Sequence, residues 1–135
     1  MSSQKTEHYE LNQWLATDQV LRTDFNTDNA KIDAALAERN GCFYVSTYVG
    51  NGAATRTHTF PRKPVFIVIM ANGCLMFLNR TSDKGHMIYN ILAQRTPTLT
   101  WTGNSVTVDI GTDSPIYAAN TEGITYAVFA ILELE

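Results

Sequence analysis

Two polar stretches in the second half of the sequence carry side chains that could bind a sugar. They are NRTSDKGH, residues 79–86, and GTDSPIYAANTEG, residues 111–123. Carbohydrate sites pair an aromatic face with several planar polar groups, and they usually lie in loops on a rigid scaffold. The candidate ligand contacts in these stretches are Arg80, Asp83, His86, Asp113, Tyr117 and Asn120. The alternative is that both stretches are polar connections and that Tyr117 packs on the end of the fold.

The same residues do not predict catalysis or metal binding. Asp83, Asp109, Asp113 and Glu122 are the acids well inside the second half, and nothing places two of them at the roughly 5–10 Å that a glycosidase needs. The serines lie in no Gly-x-Ser-x-Gly motif. The three histidines are far apart and lie in no Cys/His cluster. We therefore predict no enzyme, no metal and no cofactor, and we expect His58 to be a surface or interface residue.

Composition and charge exclude several classes of partner. Hydrophobic residues at 44% and charged residues at 17% indicate a folded globular chain of 135 residues. A net charge of −3 with scattered basic residues gives no nucleic-acid footprint. The beginning lacks the apolar core of a secretory signal, and the longest apolar stretch is too punctuated to span a bilayer. We expect synthesis in a cytoplasm and no membrane insertion, with Cys42 and Cys74 as buried thiols rather than a disulfide.

The predicted secondary structure begins with a leader and one helix, which precede the part of the chain that carries the candidate residues. Residues 1–16 have no clean period and predict an irregular leader. Thr23 is a good N-cap, Asp24 places a negative charge in the first turn, and Gly41 is a good stop, so the helix should run from about Asp24 to Arg39. The predicted organisation is a leader and oligomerising helix over residues 1–40 and a head domain over residues 41–135.

The helix carries a seam that resembles two heptads of a coiled coil. Its members are Leu21, Phe25, Asn29, Ile32 and Leu36. An isolated helix of this length, rich in Asp, Glu and Asn, is marginal in water and needs a partner surface. We expect the same helix of neighbouring chains to be that partner. Asn29 would then fix register and oligomer number; otherwise it is exposed because the seam is no coiled coil.

The remainder of the sequence predicts β structure. Alternation and turn residues indicate about eight short strands, the pattern of an antiparallel sandwich or barrel. Asn72-Gly73 between two apolar runs predicts a tight hairpin, and residues 98–110 predict another. Gly50-Asn51-Gly52 predicts a third hairpin turn. The fold class is thus mainly β, an antiparallel β-sandwich preceded by an N-terminal α-helix.

Two of the predicted strands are apolar on both faces. In residues 65–78 and 124–131, apolar side chains fill both alternating sets. An antiparallel sheet in a monomer usually keeps one face in water, so the second face needs a cover. The helix could fold back over it, but sixteen residues cannot cover two such strands and a neighbouring sheet. We therefore predict a homo-oligomer.

Two parts of the sequence resemble a known family. Residues 14–36 carry Trp, then Thr-Asp, then Leu-Arg-Thr-Asp-Phe-Asn, then Asp-Asn-x-Lys-Ile-Asp. This pattern resembles the N-terminal part of tail-fibre or receptor-binding proteins of phages and prophages in Gram-positive bacteria. YVGNGAATRTHTFPRKPVFIVIM and the later NTEGITYAVFAIL are similar to the β head that ends many such fibres, although the Phe-Pro-x-Lys-Pro corner also occurs in small lectin-like domains.

The resemblance implies a virion component. Such fibres are usually trimers that bind host-surface carbohydrate, so it implies a homotrimer, a host cell-surface glycan and other virion tail proteins as partners, and a final place in the virion tail. The chain lacks the long shaft of these fibres, which leaves a receptor-binding tip, a baseplate component and an accessory component open. The alternatives are a structural adaptor that binds no sugar, a lectin-like module unrelated to a virion, and a small hydrolase.

Overall fold

The computed structural model describes residues 1–71, 73–90 and 93–134. They form two compact units, Met1–Gly41 and Cys42–Glu135. The first unit contains a two-residue strand pair, β1 (Gln4–Lys5) and β2 (Asn12–Gln13), and the helix α1 (Arg22–Gly41). The leader is thus more regular than predicted, and the helix begins two residues before Asp24 and ends two residues after Arg39.

The second unit contains nine strands among its described residues. They are β3 (Phe43–Val49), β4 (Thr55–Thr59), β5 (Pro64–Ala71), β6 (Cys74–Asn79), β7 (His86–Tyr89), β8 (Ala93–Arg95), β9 (Thr98–Thr102), β10 (Ser105–Asp109) and β11 (Thr125–Leu132). A 3₁₀ helix, Pro115–Ala118, lies in the last long connection. The prediction of a mainly β fold with antiparallel sheets and one helix near the N-terminus is confirmed.

The strands form two antiparallel sheets. The large sheet has the order β3-β11-β5-β6-β7-β8, and the small sheet has the order β4-β10-β9. Both sheets contribute alternate apolar side chains to one core, as expected of a sandwich. The fully buried members include Ile67, Ile69, Met76, Leu78 and Met87 from the large sheet and Val106 and Val108 from the small sheet.

Two of the three predicted hairpins are confirmed. β5 pairs with β6 and β9 pairs with β10. In the turn between β5 and β6, Gly73 has a φ of 81°, the left-handed conformation that glycine adopts without strain. Asn72, the other residue of the predicted turn, lies outside the described residues. The prediction of a hairpin at Gly50-Asn51-Gly52 is wrong, because β3 pairs with β11 in the large sheet and β4 pairs with β10 in the small one.

The structure also differs from the sequence prediction in the number of strands and in the position of His58. The predicted strand over residues 86–92 is confirmed for His86–Tyr89, whereas Ile91 and Leu92 lie outside the described residues. β8 was not predicted. His58 is buried within the sandwich rather than at the surface, because β4 turns it toward the core.

The outer faces of the two sheets differ sharply. The outward positions of the small sheet carry eight hydroxyl side chains and one carboxylate: Thr55, Thr57, Thr59, Thr98, Thr100, Thr102, Ser105, Thr107 and Asp109. The outward positions of the large sheet are mainly apolar, as the two-faced pattern predicted. One side of the sandwich is therefore hydrophilic and the other is not.

Candidate functional site

The clearest site is an open cleft of about 350 Å³ at one end of the small sheet. Its walls are the segment that leads from β8 into β9 and the segment that follows β10. The lining residues are Arg95, Thr96, Pro97, Thr98, Asp109, Ile110, Gly111 and Asp113. Because Thr98 and Asp109 are partners in the β9–β10 register, the pair at the open end of that hairpin, away from its turn, lines the cleft.

Local backbone chemistry shapes the second wall. The Asp109 side chain accepts a hydrogen bond of 2.7 Å from the amide of Gly111, which has a φ of 62°. Aspartate favours this short side-chain turn, and glycine supplies the positive φ without steric cost. The chain then enters the 3₁₀ helix at Pro115, whose fixed φ suits a first helical turn. These features present Asp113 at the cleft. Tyr117 does not line the cleft: it is half-buried and packs against the core of the sandwich, which is the alternative considered for it.

Arg95 joins the two walls. Its Nε lies 3.7 Å from Asp113 Oδ2, and its guanidinium carbon lies 4.5 Å from the centroid of the Tyr117 ring. Side chains of Arg95 and Asp113 are 45% and 55% exposed, so the pair remains open to a ligand. An exposed ion pair contributes about 0–1 kcal/mol to folding, which means that a ligand could exchange these contacts at low cost. Guanidinium, carboxylate and the nearby threonine hydroxyls provide the donors and acceptors that sugar hydroxyls require.

The structure brings Asp113 and Tyr117 together, as two of the six predicted contacts. Arg95 is not among the residues predicted from the sequence, because it lies in a short segment that no strand pattern marked. Its position next to Tyr117 depends on the tertiary fold, and no local signal in the sequence indicates it. Asp109 and Thr98 were also missed, because both belong to strand ends rather than to the polar stretches.

The first polar stretch lies along the edge of β9. The Asp83 carbonyl accepts a hydrogen bond from the Leu99 amide at 2.7 Å, and Arg80 Nη1 donates to the Gly103 carbonyl at 3.1 Å. The Arg80 guanidinium also lies 5.5 Å from the Trp101 ring centroid. Arg80 is thus at the Gly103 end of β9, whereas the cleft is at the Thr98 end. Arg80 and Asp83 do not line the cleft.

The two remaining candidates lie elsewhere. His86 is exposed on β7 and is paired in register with Phe77, on the outer face of the large sheet. Asn120 is completely buried, so in this structure it does not present its amide to a ligand. Its Oδ1 accepts hydrogen bonds from the Asn51 amide and from Arg56 Nη1, and its Nδ2 donates to Asn51 Oδ1 and to the Ala53 carbonyl. The physical role of Asn120 is to join its own loop to the chain between β3 and β4.

A second cluster of titratable side chains is structural rather than reactive. The Arg56 guanidinium lies 3.9 Å from the Tyr48 ring centroid, and the rings of Tyr48 and His58 are 4.9 Å apart. Burial raises the pKa of Tyr48 and, together with positive Arg56, lowers the pKa of His58 to about 4. The two rings are tilted at 59°, the Tyr48 hydroxyl donates to the Ala119 carbonyl, and His58 Nε2 has no hydrogen-bond partner, so Tyr48 and His58 form no nucleophile–base pair.

The seam of the helix is largely unpartnered within the first unit. Phe25, Ile32 and Leu36 are exposed, as is Asn29, while Leu21 is half-buried. Phe25 stacks on Trp14 of the leader, with ring centroids 5.2 Å apart. The buried residue of the helix is Asp28, which accepts hydrogen bonds from the backbone and side-chain amides of Asn12. Seam pairing between chains stays a prediction.

Neither a metal-binding cluster nor a membrane-spanning helix is found in the part of the chain that the structure describes. Within residues 1–71, 73–90 and 93–134, no group of three or more His, Cys, Asp or Glu side chains could hold a metal ion. No helix in the described part of the chain is long and apolar enough to cross a membrane. Comparison with protein-family models, with curated proteins and with solved structures gives no match for this chain.

Proposed function

We propose that this chain is a non-enzymatic glycan-binding head of a phage or prophage tail component, which assembles as a homotrimer. The observation that carries the binding part is the open cleft lined by Arg95 and Asp113, which form an ion pair, with the Tyr117 ring against the Arg95 guanidinium beside the cleft. The resemblance of residues 14–36 to tail-fibre proteins supports the virion context. In this proposal the chain is made in the host cytoplasm and ends in the virion tail.

The cleft fits a sugar better than a reactive substrate. Asp113 accepts hydrogen bonds from sugar hydroxyls, Arg95 donates to ring or hydroxyl oxygens, and Thr98 does either. The cleft is open and mostly polar, which favours weak and reversible contacts. Three identical heads would combine such contacts, and linked sites gain on the order of 10²–10⁴ in avidity without any new contact.

Binding of purified full-length protein to an array of bacterial cell-wall glycans tests the proposal. Asp113→Ala and Arg95→Ala should each lower the signal of a bound glycan by at least about tenfold, the effect of losing about 1.4 kcal/mol. The matched control is Glu133→Ala, which breaks an ion pair of similar exposure, Lys63–Glu133, away from the cleft. Equal binding by all three variants would place the sugar elsewhere, and Asp83→Ala would then test the first polar stretch.

A structural adaptor that binds no sugar is the second candidate. The apolar outer face of the large sheet favours it, because that face could pack against another tail protein. The absence of any bound glycan, together with the presence of the chain in purified particles by mass spectrometry, would support the adaptor. Glycan binding without a place in any particle would instead support a lectin-like module unrelated to a virion.

A further inference from the structure

The outer face of the large sheet is an extended apolar surface. Its six exposed side chains, between 39% and 67% accessible, are Phe43, Val45, Val49, Met70, Phe129 and Ile131. Most of the neighbouring outward positions carry half-buried apolar side chains, namely Phe66, Val68, Leu75, Phe77, Ile88 and Ala127. Exposed Thr47 and Thr125 and, at the end of β6, Asn79 are polar positions of the same face. The registers align them into cross-strand rows, one of which runs Val45–Phe129–Val68–Phe77. We call this surface the apolar face.

The area of the apolar face is that of a protein interface. An aromatic side chain has about 150–250 Å² of surface and an aliphatic one somewhat less, so the six exposed fractions correspond to roughly 500 Å². The half-buried members bring the total to roughly 700 Å². The largest apolar patch of a typical monomer is about 300–600 Å², and a standard interface buries about 800 Å² per partner. The face is therefore large enough for a stable complex.

The charge and the shape of the apolar face indicate which kind of partner covers it. The strand positions on this face that the structure describes include no Asp, Glu, Lys or Arg, and His86 at its margin is the titratable side chain among them. A groove of about 280 Å³ between Phe43, Phe66 and Phe129 could accept an apolar side chain from a partner. Interfaces of obligate homo-oligomers are the most apolar class and carry the fewest charges, whereas transient partners meet on more polar surfaces.

The helix offers a smaller contact. Phe25, Ile32 and Leu36 are each about half exposed, which corresponds to roughly 250 Å². This is well below the area of a standard interface, so the seam alone would give weak association. A face that must be covered as soon as the chain folds is most simply covered by the same chain, which is always present at equal concentration.

We infer that the apolar face is the surface through which copies of this chain associate, with the helix seam as an added contact. This inference rests on the assembly part of the proposed function and is independent of glycan binding. Phe129 lies on β11, inside the sheet, and Val45 is its register partner on the edge strand β3 and the most exposed side chain of the apolar face, so we expect truncation or charge at either position to weaken association.

Light scattering coupled to size exclusion on the full-length chain tests this inference. The wild type should have a mass of about 45 kDa, three times the 15.0 kDa of one chain. Val45→Lys and Phe129→Lys should each reduce the mass to that of a single chain, because a buried unpaired charge is costly. Thr100→Lys is the matched control: it places the same charge on an exposed position in the middle of β9, an edge strand of the small sheet, and should leave the mass unchanged. Circular dichroism and the melting temperature establish that each variant is folded.

A third type of variant separates the two surfaces. Leu36→Lys charges the exposed helix seam and should weaken association without abolishing it. If Val45→Lys does not fold, Val45→Thr keeps the β-branched shape and should raise the dissociation constant several-fold. An oligomer that survives both sheet variants, or that only Leu36→Lys dissociates, would overturn the inference while leaving the trimer proposal intact. A monomeric wild type would overturn both.

Discussion

Folding stability should depend on pH through one buried histidine. His58 is 8% exposed, it packs against the ring of Tyr48, and its Nε2 has no hydrogen-bond partner. Burial disfavours the charged imidazolium, and the positive charge of Arg56 adds to the effect, so the pKa of His58 falls from its ordinary value of 6.5 to about 4. The folded protein therefore keeps this side chain neutral in mildly acidic solution.

The sign and size of the effect follow from proton linkage. Between the two pKa values the unfolded chain binds a proton at this position and the folded chain does not, so the stability contributed by neutral His58 is lost as the pH falls from 6.5 toward 4. Each unit of pKa shift corresponds to about 1.4 kcal/mol, which gives a loss of roughly 2 kcal/mol between about pH 7 and about pH 5. Most carboxylates remain ionised over that interval.

Urea denaturation at several pH values measures this loss. In His58→Gln the fall in the free energy of unfolding between about pH 7 and about pH 5 should shrink by roughly 2 kcal/mol relative to the wild type. Thr100→Gln, an exposed substitution on the small sheet that leaves every histidine in place, should retain the wild-type pH dependence. If the wild type and His58→Gln lose the same stability over this interval, His58 is not held neutral by burial and the reasoning is wrong.

Three further substitutions test the packing that shapes the two units. Asn120→Ala should lower the free energy of unfolding by about 3 kcal/mol in urea, since it removes the four hydrogen bonds of a completely buried side chain. Asn104→Ala, at an exposed position with one side-chain hydrogen bond, should cost under about 1 kcal/mol. Gly50→Ala should cost roughly 3 kcal/mol or more, because a Cβ there would lie 2.0 Å from the Thr121 carbonyl oxygen; a melting temperature within a few degrees of wild type would contradict this. Asp28→Ala should release the leader from α1 and speed hydrogen exchange of the leader amides by about tenfold or more, and unchanged exchange would show that its hydrogen bonds do not hold the leader.

Local sequence patterns predicted most of the strands, but not β8, and they predicted strand pairing only where the partners are adjacent in sequence. Alternation and the Asn72-Gly73 pair predicted the β5–β6 hairpin, in which partners are adjacent in sequence. The glycine-rich turn after β3 carried the same kind of signal, yet its backbone is held from a distance. The Gly52 amide donates to the Asn120 carbonyl, and the Asn51 amide donates to the Asn120 side chain. A contact across 69 residues overrides the local turn preference, and no local pattern contains it.

The residues of the candidate site likewise divide into those that the local sequence identifies and those that only the fold brings to the site. Asp113 and Tyr117 could be found because they lie close together in a polar loop. Asn120 was selected by the same criterion, but burial and hydrogen bonds within the chain give it a structural role. Arg95 lies far upstream and reaches Tyr117 only through the tertiary packing. Composition selects residue types that bind sugars, whereas exposure and proximity come from the fold.

The contrast between the two outer faces explains how one small sandwich could both assemble and bind. The apolar face belongs to the large sheet, and the cleft lies at an end of the small sheet, whose outer face carries hydroxyl side chains. The two outer faces of a sandwich point in opposite directions. Association through the apolar face would therefore bury the surface that water disfavours and leave the Arg95–Asp113 cleft of every copy directed outward. An oligomer built on the small sheet would instead bury hydroxyl groups that need partners and leave the apolar face in water, which is the less favourable arrangement on both counts.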